Sequence, residues 1–204
     1  MLANPLTVVI DACILCSPLK RSIILSLAEA GFFRVCWSDE ILDETEKAIT
    51  VILSKRAYDD AADRAALART LMQQAFAEAS IANYEHVAAG IGKLPDEGDR
   101  HVIAAAIEAK ADIIVTENLR DFPRKVLAKF GIEAKSCDEF IADAIALGPS
   151  LAIAALQRML QRLDRPEKRA QTLLLDMQKS GLTKAAGLLK DKLSVSRLAL
   201  PALQ

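Results

Sequence analysis

Two short β-branched runs constrain this chain more than any other feature. Thr7 to Ile10 stops at Asp11, and Ile113 to Val115 runs directly into Thr116, Glu117, Asn118 and, three residues on, Asp121. Brief apolar runs of this kind suit strands buried on both faces, and such strands belong to mainly parallel sheets. In open parallel α/β sheets the carboxyl ends of the strands form the crevice where ligands bind. The polar groups that close the two runs are therefore the first candidates for chemistry.

The segments between them read as helices. Ser17-Pro18 supplies a cap and a proline at the first helical position, and Gly31 closes that helix. Phe33 to Trp37 is the next strand. Ser38 then caps a helix that runs to about Arg56, with Asp39 and Glu40 at the positive end of its dipole. Residues 57 to 78 form a further helix. Another opens at Asp99, the Ile113 strand follows, a helix lies near 123 to 129, and 132 to 135 is extended. Ser136 and Glu139 have the spacing of a capping box for the last helix of this part. Alternation of strand and helix predicts an α/β fold with a mainly parallel sheet covered on both faces. Past Gly148-Pro149 only helices are predicted, over 150 to 163, 167 to 179 and 183 to 192, with turns at Asp164-Arg165-Pro166 and Gly181. The expected division is residues 1 to 147 for the α/β domain and 150 to 204 for an all-α C-terminal extension.

Charge divides at the same place. Residues 1 to 149 hold 16 Lys and Arg against 23 Asp and Glu, and residues 150 to 204 hold 10 against 4. An acidic body with a basic appendage suggests a tail that meets a polyanion or one that packs on the body. At 52% hydrophobic and 26% charged the chain has an ordinary globular composition. Leu6 to Ile10 is too short for a signal-peptide core or a membrane span, so a cytoplasmic protein is expected. Cys13 and Cys16 have CxxC spacing, but no second pair follows and His86 and His101 lie far away. The four cysteines read as reduced small hydrophobes. No P-loop or GxGxxG is present, so nucleotide cofactors have no support.

The acids carry the functional reading. Asp11 sits at the carboxyl end of the first strand. On the helix from Ser38, at about 100° per residue, Ile41, Thr45, Ala48 and Ile52 form a stripe, and Glu44 lies beside it while Glu40, Asp43 and Glu46 point away. A carboxylate at the edge of a core requires a partner, either a basic side chain or a divalent cation. Asp96 and Asp99 precede and open a helix, where acids also serve as caps. Together with an acid after the Ile113 strand, these residues can converge into an all-oxygen pocket suited to Mg²⁺ or Mn²⁺. Such a pocket can activate water and steady charge on a phosphodiester.

The segments VVIDAC, ILDETEKAI and DEGDRHVIAAAIEAKADIIVTENLRDFP resemble the successive motifs of the PIN domain nucleases, and more closely the VapC-like toxins of bacterial toxin–antitoxin pairs. The resemblance spans roughly residues 6 to 147, and the block from Asp96 to Pro123 is its most specific part. It implies a three-layer α/β/α fold and a Mg²⁺- or Mn²⁺-dependent ribonuclease. The partners it implies are RNA, a cognate antitoxin and, as a candidate, a second copy of the chain, with no membrane. Carried over by position, Asp11, Glu44 and Asp99 would hold the metal, with Asp96 close by. The family's fourth acid commonly stands two residues after the strand-end threonine, where this chain has Asn118, and the nearest acid is Asp121. Either Asp121 reaches the metal and completes the catalytic set, or a second cation is held weakly. The helices from 150 to 192 also resemble a C-terminal extension found in a subset of these toxins.

Around the acids, Thr116 is expected to orient a carboxylate with its hydroxyl. Arg100, His101 and Arg120 could hold an RNA phosphate. Two other function classes stay open at this point. A protein that keeps the nuclease fold as an inactive binding module is one, with Asn118 as its only hint. A phospho-accepting receiver module is the other, but it would have paired acids after the first strand, where Asp11 is followed by Ala12 and Cys13.

Overall fold

The computed structural model describes residues 6–163 and 166–195. In chain order its elements are β1 (Leu6–Ile10), α1 (Ala12–Leu15), α2 (Pro18–Glu29), β2 (Phe33–Ser38), α3 (Asp39–Ser54), α4 (Ala61–Ala75), β3 (Ser80–Ile81), α5 (Glu85–Ala88) and α6 (Arg100–Glu108). They continue with β4 (Ile113–Val115), α7 (Arg124–Leu127), β5 (Glu133–Lys135), α8 (Cys137–Leu147), α9 (Pro149–Gln161), α10 (Pro166–Lys179) and α11 (Thr183–Val195). The five strands form one sheet in the order β3-β2-β1-β4-β5, and every pairing is parallel.

The two runs that opened the sequence analysis are neighbours at the centre of this sheet. Val8 pairs with Val35 on one side and Ile113 on the other, and Ile10 pairs with Val115. Val8, Val9, Ile10, Ile114 and Val115 are wholly buried, which explains the absence of polar alternation in either run. After β1 the chain builds outward through β2 and β3, then returns to place β4 and β5 on the other side of β1. The order therefore reverses between β1 and β4. That is the topological switch point where open α/β sheets bind ligands, and Asp11 and Thr116 stand at its carboxyl edge.

The described residues gather into two compact units. Residues up to Ser17 with Phe33–Ser136 form the first, and Pro18–Phe32 with the residues from Cys137 onward form the second. In the first unit α6 packs on β1, β2 and β4, α3 packs on β2, and α4 pairs with α3. Trp37 is buried there and meets Phe76 edge to face with ring centroids 6.0 Å apart.

The second unit is all helix. α2 packs against α8 and α9, and α11 packs against α8 and α10. Arg162 forms a two-bond fork with Glu29, both at 2.7 Å, and holds that carboxyl below its ordinary range. Asp138 caps α11 by accepting from the amides of Lys184 and Ala185 at 2.9 and 2.8 Å. Leu156, Leu160, Leu173 and Met177 are buried, whereas Leu163 is exposed. The compact units thus cut the chain differently from the division at residues 147 to 150, because α2 finds its helical partners in α8 and α9.

Other departures are local. The helix predicted over 57 to 78 is shorter, because Ala57 takes a left-handed φ of 58° that breaks the path out of α3 and Phe76 leaves helical geometry at the other end. The two residues of β3 and the four of α5 are too short to show a periodicity. The Asp164-Arg165-Pro166 turn falls on residues 164 and 165, outside the described ones. Among the described residues no single helix is long and apolar enough to cross a membrane.

Ending the chain at Leu147 removes α9, against which α2 packs, while Ile23, Ile24 and Leu27 of α2 are fully buried in the whole protein. Uncovering even two such side chains costs about 3 kcal/mol or more. The truncated protein is expected to unfold at a clearly lower temperature than the full chain, as followed by circular dichroism, or to aggregate. An unchanged transition would show that α2 does not depend on α9.

Candidate active site

Asp11 leaves β1 in an extended conformation at the start of α1, and its side chain makes no capping bond there. Its amide instead continues the β1–β4 ladder by donating to the carbonyl of Val115 at 3.1 Å. Asp11 as a whole is only 4% exposed. Burying a charge this deeply is costly unless donors replace water, and two do. Thr116 Oγ1 donates to Asp11 Oδ2 at 2.6 Å, and Cys13 Sγ donates to the same oxygen at 3.0 Å. Thr116, expected to orient a carboxylate, is hydrogen-bonded to this one.

The donors are themselves held. The amide of Asn118 donates to Thr116 Oγ1 at 3.0 Å, and the amide of Glu117 donates to Cys13 Sγ at 3.3 Å. Burial, reinforced by the charge of Asp11, pushes the Cys13 thiol up to about 12, so it stays protonated and able to donate. Sequence reasoning treated Cys13 as a small hydrophobe. Its spacing of two from Asp11 was the available signal, but only the return of the loop after β4 shows why that spacing matters.

Glu44 comes from α3, which Ser38 caps by accepting from the amide of Ile41 at 3.2 Å. Ile41, Leu42, Thr45 and Ile49 form the buried face. Glu44 sits at its rim with 45% of its side chain exposed, more open than a core-edge position suggests. Partial burial pushes its carboxyl up, His101 pulls it down, and Asp11 pushes it up again, so the two acids lie within each other's field.

Asp99 gathers the remaining acids. It stands at the start of α6 without a side-chain capping bond. Its carboxyl is raised to about 6, first by burial and then by the charges of Asp11, Asp96, Asp121 and Glu44. Asp96 caps the turn before α6 by accepting from the Gly98 amide at 2.8 Å. Asp121 lies in the turn after β4 with 13% of its side chain exposed, beside an Arg120 that is 89% exposed. Asn118 is exposed, and its carbonyl accepts from the Asp121 amide at 2.8 Å.

Two of the three residues expected to meet a phosphate are engaged elsewhere. Arg100 donates to Glu97 and to the carbonyls of Ala88 and Gly92 at 2.9 and 2.7 Å, so its guanidinium fastens the loop that carries Asp96. His101 is 8% exposed and faces Glu40 and Glu44. Arg120 is open to solvent, and its Nε donates to Asp121 Oδ2 at 3.4 Å. The acids match a hard divalent cation by charge and by donor type, all of them being oxygen ligands. Among the described residues, however, no three His, Cys, Asp or Glu side chains are already arranged around one point that could hold a metal ion.

Comparison with known proteins agrees with this geometry. Residues 7–120 match the PIN domain model, and residues 137–191 match the model of the VapC50 C-terminal domain. A curated protein of Mycobacterium tuberculosis (strain ATCC 25618 / H37Rv), bearing the name "Putative ribonuclease VapC50", is 36% identical over 76 residues. That alignment covers 37% of this chain and 45% of the relative, so the chain spans less than half of the curated protein it matches. No solved structure matches.

The raised Asp99 carboxyl has a consequence for stability. Its folded value of about 6 lies above the ordinary 3.8, so between those limits the folded state holds a proton that the unfolded state releases. Stability therefore falls as pH rises through this window, and the mutual repulsion is fully present above it. In EDTA, Asp99→Asn is expected to raise the melting temperature by a few degrees at pH 8 and to leave it nearly unchanged at pH 4. Equal shifts at both pH values would mean that the neighbouring acids do not crowd Asp99.

Proposed function

The chain belongs to the PIN domain family, and on that premise we propose that it is a Mg²⁺- or Mn²⁺-dependent ribonuclease acting as the toxin of a toxin–antitoxin pair. The observation that carries this reading is the environment of Asp99, a half-buried carboxyl raised first by its burial and then by four other acids, Asp11, Glu44, Asp96 and Asp121, that come from four stretches of the sequence. A fold does not gather uncompensated charge at a switch point for stability, since each acid opposes the others. A hard cation relieves that opposition. In this reading Asp11, Glu44, Asp99 and Asp121 hold the metal, Asp96 adds charge at the rim, and Asp121 serves in place of the acid that Asn118 lacks.

The metal, when bound, supplies an activated water and charge stabilisation at the phosphorus. The protein's own groups set the geometry. Thr116 and Cys13 hold Asp11 Oδ2, so the side-chain hydrogen bonds of Asp11 among the described residues fall on one oxygen. Arg120 is the exposed cation placed to meet a phosphate oxygen of single-stranded RNA. The matches to the PIN domain and the VapC50 C-terminal domain support VapC-like action with an antitoxin partner, and a cytoplasmic location belongs to the same reading.

Purified protein is expected to cleave single-stranded RNA with Mg²⁺ or Mn²⁺ and to stop when EDTA is added. Asp11→Asn and Asp99→Asn should each lower the rate by about 100-fold or more, since even partners of metal ligands cost 10–100-fold, while circular dichroism stays unchanged. Undiminished cleavage by Asp11→Asn would remove that residue from the site.

The fourth position has its own test. Asp121→Asn should raise the Mn²⁺ concentration needed for half-maximal activity, and Asn118→Asp should lower it, because an added carboxylate strengthens the hold on a hard cation. Identical metal titrations for both variants and the parent chain would mean that neither side chain reaches the ion.

A further inference from the structure

Building on the metal-site reading above, we infer that His101 is the positioning residue for Glu44, tying that carboxylate on α3 to the start of α6 and so setting its distance from Asp99. The first ground is burial. With 8% of its side chain exposed, His101 is enclosed by protein and cannot reach an RNA backbone. The second is the state of its ring. Neither nitrogen makes a well-directed hydrogen bond, and the nearest acceptors are Glu44 Oε1 at 3.2 Å from Nε2 and Glu40 Oε2 at 3.7 Å from Nδ1. A buried polar ring left this way is costly, so its place between two carboxylates calls for an explanation.

Glu40 and Glu44 are four residues apart on α3, so they project from the same face one turn apart, and Glu40 does not point away as expected from the sequence. The imidazole enters between them. Glu40 has a second partner, because Tyr84 Oη donates to its Oε2 at 3.2 Å. Glu44 has none among the described residues. It is also more open than Asp121, at 45% against 13%. Without the ring, nothing restrains its three side-chain torsions from sampling solvent, and ordering them would have to accompany metal binding. At 3.2 Å, Glu44 Oε1 is within bonding distance of Nε2 and lacks only alignment. Because His101 follows Asp99 by two residues, that bond fixes one ligand helix against the other.

The test uses the full chain and three readouts. His101→Leu keeps a buried apolar volume but removes both nitrogens, His101→Gln places an amide near the position of Nε2, and His101→Asn places one near Nδ1. Calorimetry is expected to show Mn²⁺ affinity about tenfold weaker in His101→Leu and His101→Asn, in line with other partners of metal ligands, and substantially restored in His101→Gln. The KM for RNA at saturating Mn²⁺ should not change. A raised KM with unaltered Mn²⁺ affinity would return His101 to the substrate surface and overturn the inference, as would equal affinities in all variants. If the parent chain bound no Mn²⁺, the nuclease reading would fail by itself. The positional claim would still be decided by a metal-free double-mutant cycle in urea with His101→Leu and Glu44→Leu: coupled effects support it, and additive effects overturn it. Should His101→Leu fail to fold, the same cycle is run with His101→Asn.

Discussion

A carboxylate with almost no access to water is the constraint on which the first unit turns. Asp11 is carried to its position by the central strand of the sheet, and its solvation is supplied by Thr116 and Cys13 in place of water. Those two donors are fixed by backbone amides of the loop after β4. The arrangement works only because β4 lies directly beside β1, with Ile10 opposite Val115 and the Asp11 amide closing the ladder on the Val115 carbonyl. Sheet order, loop path and side-chain orientation at this edge are thus one problem with one solution.

Electrostatics takes the same site in the opposite direction. The unit that contains the acids holds 19 Asp and Glu against 14 Lys and Arg, and several of those acids lie around Asp99. Elsewhere in this unit acids are compensated: Arg69 draws Asp43 and Glu46 together between α3 and α4, and Arg64 pairs with Asp60. At the sheet edge compensation is thinner, with Arg120 on Asp121 and His101 beside Glu44, and burial and neighbouring charge raise the Asp99 and Glu44 carboxyls. Repulsion among Asp11, Asp96, Asp99, Asp121 and Glu44 is tolerated because the surrounding scaffold, the central strands and α6 in particular, is deeply buried.

Residues near a site need not touch its substrate. Arg100 and His101 flank Asp99 in sequence, and both look like substrate ligands when only their chemistry is considered. The start of α6 turns them inward to hold the loop before it and the helix beside it. Arg120, in the turn after β4, is turned outward. Asp96 caps its turn and still contributes to the field at Asp99, so the structural and functional readings of an acid at a helix start are compatible here.

Strand content and the parallel α/β class were legible in the sequence because burial on both faces leaves unmistakable apolar runs, as in Val8 to Ile10 and Ile113 to Val115. The acids at strand and helix ends were legible for a related reason: a charge beside a core stands out against its neighbours. Tertiary structure decided what spacing along the chain cannot encode. The lateral order of strands made Asp11 and Thr116 neighbours across 105 residues, and the fold of the loop after β4 made Cys13 a donor. The facing of α3 and α6 set His101 against Glu44, and the packing of α2 with α8 and α9 moved a helix from the first half of the chain into the second unit. Each of these depends on which surfaces meet in space, and local pattern records only which surfaces must be covered.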